Sequence, residues 1–154
     1  MIPFAAISLS VYAFDLLTKI LVRKNLPLGA EIKILPVFSL VHVQNTGIAF
    51  GLFQDNNFLL LIMGLAVAGG MTVMAYKLLL TDRLSAYLIA MVLGGALGNL
   101  TDRYFYGRVT DFLDFYWQTH HWPAFNVADS AICVGATLLI ASEFLRKKHA
   151  SHPI

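Results

Sequence analysis

Four apolar stretches, roughly Ile2 to Val22, Phe58 to Tyr76, Leu84 to Leu100 and Val127 to Leu145, constrain this chain more than anything else in it. A hydrocarbon core about 30 Å thick is crossed by about 20 residues of helix, and each stretch is close to that length. Only 13% of the residues are charged and 58% are hydrophobic, where a soluble domain carries about 25% charged residues. The predicted fold class is a membrane all-α core of four transmembrane helices, forming a single integral membrane domain over residues 1–154 with outer loops at 23–57 and 101–126.

The first stretch differs from a cleavable signal peptide. It has no basic segment ahead of it, carries Asp15 and Lys19 in its second half, and lacks a clear small-x-small cleavage site, so it is expected to remain as a span. A net charge of +2 gives no reason to expect a nucleic-acid partner. Cys133 is the sole cysteine, which excludes an intrachain disulfide, and it is expected to be a small buried residue of the fourth span. Lys77, Arg83, Arg146, Lys147 and Lys148 fall on one side of the four spans, whereas Arg23, Lys24, Lys33, Arg103 and Arg108 fall on the other. The first set is packed hard against helix ends, so both termini are expected in the cytoplasm.

The first outer loop contains "EIKIL", "FSLVHVQ" and "GIAFGLF", short β-branched and aromatic runs separated by Pro36 and by Asn45-Thr46-Gly47, which reads as a turn. A small sheet on the outer face is expected from them. The second outer loop holds Tyr104, Phe105, Tyr106, Phe112, Phe115, Tyr116, Trp117 and Trp122, residue types that favour the headgroup belt.

Parity of the spans then gathers the polar residues. Asp15, Lys19, Asn45, Asn99, Asp102, Arg103, Asp111, Asp114, Asn126 and Asp129 all belong to one side. Ionisable groups collected at one depth of a membrane protein mark a functional site by default. Individually each has a plain explanation. Asn126 and Asp129 have N-cap to N3 spacing; Asp111 and Asp114 could be solvated loop acids; Asp102 and Arg103 could pair with each other; Asp15 and Lys19 form an i, i+4 pair. Gly94 and Gly98 read as a helix-packing face. His120 and His121 could meet a metal with Asp111 or Asp114, but adjacent histidines point apart on most backbones. Together, two acids at one level have a chemical use: like charges brought close share a proton, leaving one base and one acid.

The blocks "NTGIAFG" (Asn45 to Gly51), "GGALGNLTDRYFYGRVTDF" (Gly94 to Phe112) and "PAFNVADSAICVG" (Pro123 to Gly135), with "FDLLTK" around Asp15, resemble in order and spacing the signature blocks of the lipoprotein signal peptidase (signal peptidase II) family. The resemblance implies an intramembrane aspartic endopeptidase of the bacterial inner membrane, with a small β-cradle and a loop or lid on the outer face. It would cut prolipoproteins just before a diacylglyceryl-modified cysteine. It implies catalytic roles for Asp111 and Asp129 and supporting or substrate-contacting roles for Asp15, Asn45, Asn99, Arg103 and Asn126. Neither metal nor cofactor is implied; membrane lipid is a partner, cyclic peptide antibiotics of the globomycin type are candidate inhibitors, and a monomer is expected. Thr110 and Ile48 depart from the commoner family residues at their positions. The rival readings are a proton- or cation-coupled transporter, which would need polar residues running through the spans, and a membrane scaffold, in which the aspartates would be dispensable.

Overall fold

A computed structural model describes residues 2–47 and 52–150, with side chains as far as Arg146. The elements in chain order are α1 (Ile2–Asn25), β1 (Glu31–Leu35), β2 (Phe38–Asn45), α2 (Asn57–Leu78), α3 (Arg83–Tyr106), β3 (Val109–Trp117), β4 (His120–His121) and α4 (Val127–Ala150). All four helices are long and apolar enough to cross a membrane. In α3, 56% of the most apolar window is buried, against 11% to 17% in the other three, so α3 is the central helix and the others present apolar surface outward.

The helices meet where glycine removes a side chain. A Cβ at Gly94 would lie 2.5 Å from the Ser8 carbonyl oxygen of α1, and one at Gly95 would lie 2.5 Å from the Ala128 carbonyl oxygen of α4. Small residues let helix backbones approach where lipid supplies no hydrophobic drive for association. The same glycine-rich turn thus seats both neighbours. Asp82 caps α3, accepting from the Ser85 amide at 3.2 Å, and Arg146 of α4 forms a two-pronged ion pair with it. The Arg146 hydrogen bonds, with the Ser85 contact behind them, hold the Asp82 carboxyl well below its ordinary range.

At the other end of the bundle lies an antiparallel sheet in the order β1-β2-β3-β4. "EIKIL" and "FSLVHVQ" pair antiparallel as β1 and β2 of the expected sheet. Asn45-Thr46-Gly47 bends as expected, with the Asn45 side chain accepting from the Gly47 amide at 2.9 Å. Of the third predicted strand, Ile48–Gly51 lie outside the described residues, while Leu52 and Phe53 sit in turns.

The second outer loop departs further from expectation. Its first residues continue α3 to Tyr106, because backbone hydrogen bonding carries on through the polar Thr101, Asp102 and Arg103. The helix stops at Gly107, which has a positive φ of 72° and whose amide donates a hydrogen bond to the Arg103 carbonyl. The aromatic stretch that follows is β3. It is paired along β2 with Val43 opposite Asp111 and Asn45 opposite Val109, and its aromatic residues suit a pleated strand. The amides of Phe112 and Leu113 both reach the Phe125 carbonyl, at 2.9 and 2.8 Å, which draws the chain back beside β3 just before α4 begins.

Cys133 is exposed rather than buried. The α4 face packed on α3 carries Ala128, Ala131 and Gly135, and position 133 points away from that stripe.

Candidate active site

The return of the chain at Phe125 places Asn126 between the two aspartates that the sequence singles out. Asn126 is fully buried. Its Oδ1 accepts from the Asp129 amide at 2.9 Å, and Asp129 Oδ2 accepts from the Asn126 amide at 3.2 Å. This reciprocal pair is a capping box at the start of α4. The same Asn126 side chain donates through Nδ2 to Asp111 Oδ1 at 2.7 Å. The capping explanation and the functional one therefore coexist: the cap is the bridge between the acids.

Asp111 is buried on β3 and receives a second donor, Asn45 Nδ2, at 3.1 Å across the β2–β3 pair. Burial, and then the nearby charge of Asp129, push its carboxyl from the ordinary 3.8 up to about 7, against the opposing pull of the Asn45 and Asn126 hydrogen bonds and the Lys19 charge. Asp129, half-buried at the mouth of α4, accepts from Asn99 Nδ2 at 2.8 Å.

Behind these acids lies a buried charge cluster along one face of α1. Lys19 Nζ is 2.7 Å from Asp15 Oδ2 and donates to Asn99 Oδ1 at 2.8 Å. Asp15 Oδ1 accepts from the Ala128 amide at 2.8 Å, capping the second free amide of α4 from a different helix. Gly98 makes room for this, since a Cβ there would overlap the Asp15 carboxylate.

Asp102 does not pair with Arg103. Its oxygens take Arg23 Nη1 and the Thr110 amide, each at 2.9 Å, because neighbouring positions on α3 point in different directions. Arg103 instead donates through Nη2 to the Gly47 carbonyl, tethering the turn after β2, and its own carbonyl accepts from Asn57 of α2 at 3.1 Å. Arg103 Nη1 is buried with no hydrogen-bond partner among the described residues.

His121 meets Asp114 at 2.9 Å, whereas Asp111, three residues from Asp114 along β3, lies on the other face of the strand. A shared metal with both acids is therefore not built. Among the described residues no group of three His, Cys, Asp or Glu side chains is placed to hold a metal ion.

All seven site residues named from the sequence lie at this end of the bundle. Asp15, Asn99, Asn126, Asp111, Asn45 and Asp129 form one connected set with Lys19, and Arg103 stands beside it, held to the Gly47 turn. Arg23 escapes the sequence reading as a member, whereas Asp102, gathered there with the other polar residues, takes Arg23 rather than Arg103 as its partner. A signal for Arg23 exists in the spacing of Asp15, Lys19 and Arg23, which at i, i+4 and i+8 share one helical face. Arg23 also stacks over the Tyr106 ring at 4.4 Å.

Four membrane-capable helices with buried acids gathered beneath a small sheet define a helical membrane protein with a polar site at one end of its bundle. The family model for signal peptidase (SPase) II matches residues 7–145, and this chain belongs to that peptidase family. Lipoprotein signal peptidases of Histophilus somni (strain 2336) and Serratia marcescens are 42% and 41% identical to it, over 93% and 95% of this chain and 89% and 88% of theirs. That of Vibrio cholerae serotype O1 (strain M66-2) is 39% identical over 94% of this chain and 88% of its own length. A bacterial membrane enzyme solved by the in meso method shares the fold, with a TM-score of 0.83 and 24% identity over 98% of this chain and 92% of that one. A second such structure gives 0.76 and 25% identity, over 90% of each chain.

Proposed function

We propose that this peptidase removes the signal peptide from prolipoproteins, cutting on the N-terminal side of a diacylglyceryl-modified cysteine, with Asp111 and Asp129 as the catalytic pair. The observation that carries the reading is Asn126, which holds one acid through its side chain and caps the helix that presents the other. Asp111, raised toward neutrality, is the group suited to hold a proton, and Asp129, which accepts from Asn99 and a backbone amide, is assigned the part of the base. A water between them attacks the scissile carbonyl carbon and gives a proton to Asp129, while Asp111 protonates the carbonyl oxygen. As the C–N bond of the tetrahedral species breaks, the departing amine takes the proton held by Asp129 and Asp111 regains one from a hydroxyl of the gem-diol, which restores both acids. Arg103, whose buried Nη1 has no hydrogen-bond partner among the described residues, and Asn45 are the groups assigned to the substrate backbone.

With both termini cytoplasmic, the site lies at the outer face of the inner membrane, where the substrate's lipid tails stay in the leaflet. The enzyme is expected to act as a monomer, and a cyclic peptide of the globomycin type would compete for the same place. The test is cleavage by purified protein of a lipid-modified precursor and its unlipidated counterpart. Cleavage confined to the lipidated form is expected; equal cleavage of both would refute the substrate assignment.

A pH dependence follows from Asp111. Unfolded, its carboxyl loses its proton near 3.8; folded, it does so near about 7. The folded chain therefore binds the extra proton between those values. This contribution to stability is present in full below the lower value and is lost as pH rises through 7. Asp111→Asn removes the titration, so its melting temperature in detergent should rise relative to wild type between pH 5 and pH 8. A difference independent of pH would contradict the assignment.

A further inference from the structure

Asn99 is held at both ends of its carboxamide, and the partner at the oxygen end is the fully buried Lys19. An ammonium can only donate, so the amide atom facing it must be the oxygen. The nitrogen is then turned to Asp129, which as a carboxylate can only accept. Reversed, the amide would set donor against donor at Lys19 and acceptor against acceptor at Asp129. Asn126 Nδ2, 3.3 Å from the same Asn99 oxygen, favours the same orientation. The same ammonium faces Asp15 at 2.7 Å and Asp102 at 3.9 Å.

We propose that Lys19 is a positioning residue for catalysis: by fixing the Asn99 carboxamide it guarantees a hydrogen-bond donor to Asp129 and so holds that carboxylate ready to take a proton from water. The inference rests on the Asp111 and Asp129 reading. It gives the i, i+4 pair of Asp15 and Lys19 a purpose beyond neutralising a span, because a pair needed only for charge balance could be replaced by two apolar residues at little cost. Lys19 itself touches neither acid of the dyad and acts through Asn99.

The experiment is a double-mutant cycle on cleavage of a lipid-modified precursor, using Lys19→Met, Asn99→Ala and their combination. Lys19→Met leaves Asp15 without its partner, so the cycle is repeated with Asp15→Asn/Lys19→Met, in which both charges leave together and the introduced carboxamide can still accept from the Ala128 amide. Folding of each variant is verified by gel filtration and thermal melting in detergent. In the wild-type background, loss of Lys19 should lower kcat roughly 10- to 100-fold, the worth of one hydrogen bond to a charged group, with KM unchanged. In the Asn99→Ala background it should change kcat less than about 2-fold, because the route through Asn99 is already gone. Equal losses in both backgrounds, or a loss carried by KM, would overturn the proposal. Asp129→Asn is assayed beside them. If it cleaves normally the dyad reading itself fails, whereas an inactive Asp129→Asn with additive Lys19 and Asn99 effects refutes only the role given to Lys19.

Discussion

Asp111→Asn and Asp129→Asn should each reduce cleavage of a lipid-modified precursor by about 10²- to 10⁴-fold, the range associated with loss of one general acid or base. Asparagine is the informative replacement because it keeps the planar shape and an acceptor oxygen. Asn126 Nδ2 can still donate to position 111, and the backbone amide of Asn126 can still find an oxygen at position 129. The fold should therefore survive both changes, and Asp111→Asn should be at least as stable as wild type at neutral pH, since it removes a buried carboxyl whose ionisation folding opposes. Single-turnover assays alongside melting curves separate chemistry from folding. Full cleavage by either folded variant would sink the dyad, and would leave the aspartates as the dispensable caps and loop acids of a scaffold.

The helices are legible in the sequence because hydropathy over a span is a sum, insensitive to any one residue. Their ends are not, since Thr101, Asp102 and Arg103 end the apolar window but not the hydrogen bonding, and it is Gly107 that stops α3. The convergence of Asp15, Asn99, Asp111, Asn126 and Asp129 follows from parity alone, which assigns a side of the membrane without assigning contacts. Contacts are where the sequence is silent. Nothing in it says that Asp102 prefers Arg23 and Thr110 to its neighbour Arg103, because partner choice depends on rotation about two helices and on where β3 enters. β3 is hidden for a different reason: Phe112, Phe115, Tyr116 and Trp117 suit an interfacial belt as well as a strand, and only pairing with β2 distinguishes the two. Cys133 runs against expectation because burial in a span depends on the face presented to α3, which small residues at 128, 131 and 135 reveal only when read together.

The site also explains why polar groups can be tolerated so close to the membrane interior. Asp15 and Lys19 are fully buried in α1, where each alone would be expensive. Their carboxylate and ammonium engage different elements as well as each other: Asp15 the first turn of α4, Lys19 Asn99 of α3. A rival transporter reading would require such groups to continue along the bundle. Instead the far end holds the Asp82 and Arg146 pair, with Glu143 beside it, and the stretch of α3 between Leu88 and Gly95 carries only apolar side chains and glycine. Among the described residues the buried ionisable side chains lie at the end capped by the sheet.

Asn126 is the residue at which stability and activity can be pulled apart. Asn126→Ala deletes the cap on the Asp129 amide, which costs about 0.5 to 2 kcal/mol at a helix N-terminus. It also strips Asp111 of its shortest donor and frees the Asp129 carboxylate from its capping-box geometry. Both a lower melting temperature and a loss of cleavage of about 10²-fold are expected, the latter because misplacement of a reacting group by an ångström has that effect. Asn126→Ser should divide the two. The serine hydroxyl can accept from the Asp129 amide and restore the cap, yet it is too short to reach Asp111, which lies 2.7 Å from the far end of the asparagine side chain. The serine variant should therefore melt near wild type while its kcat stays close to that of the alanine variant. Recovery of both properties together would mean that Asn126 serves α4 alone, and that Asp111 is positioned by Asn45 and the strand pairing without it.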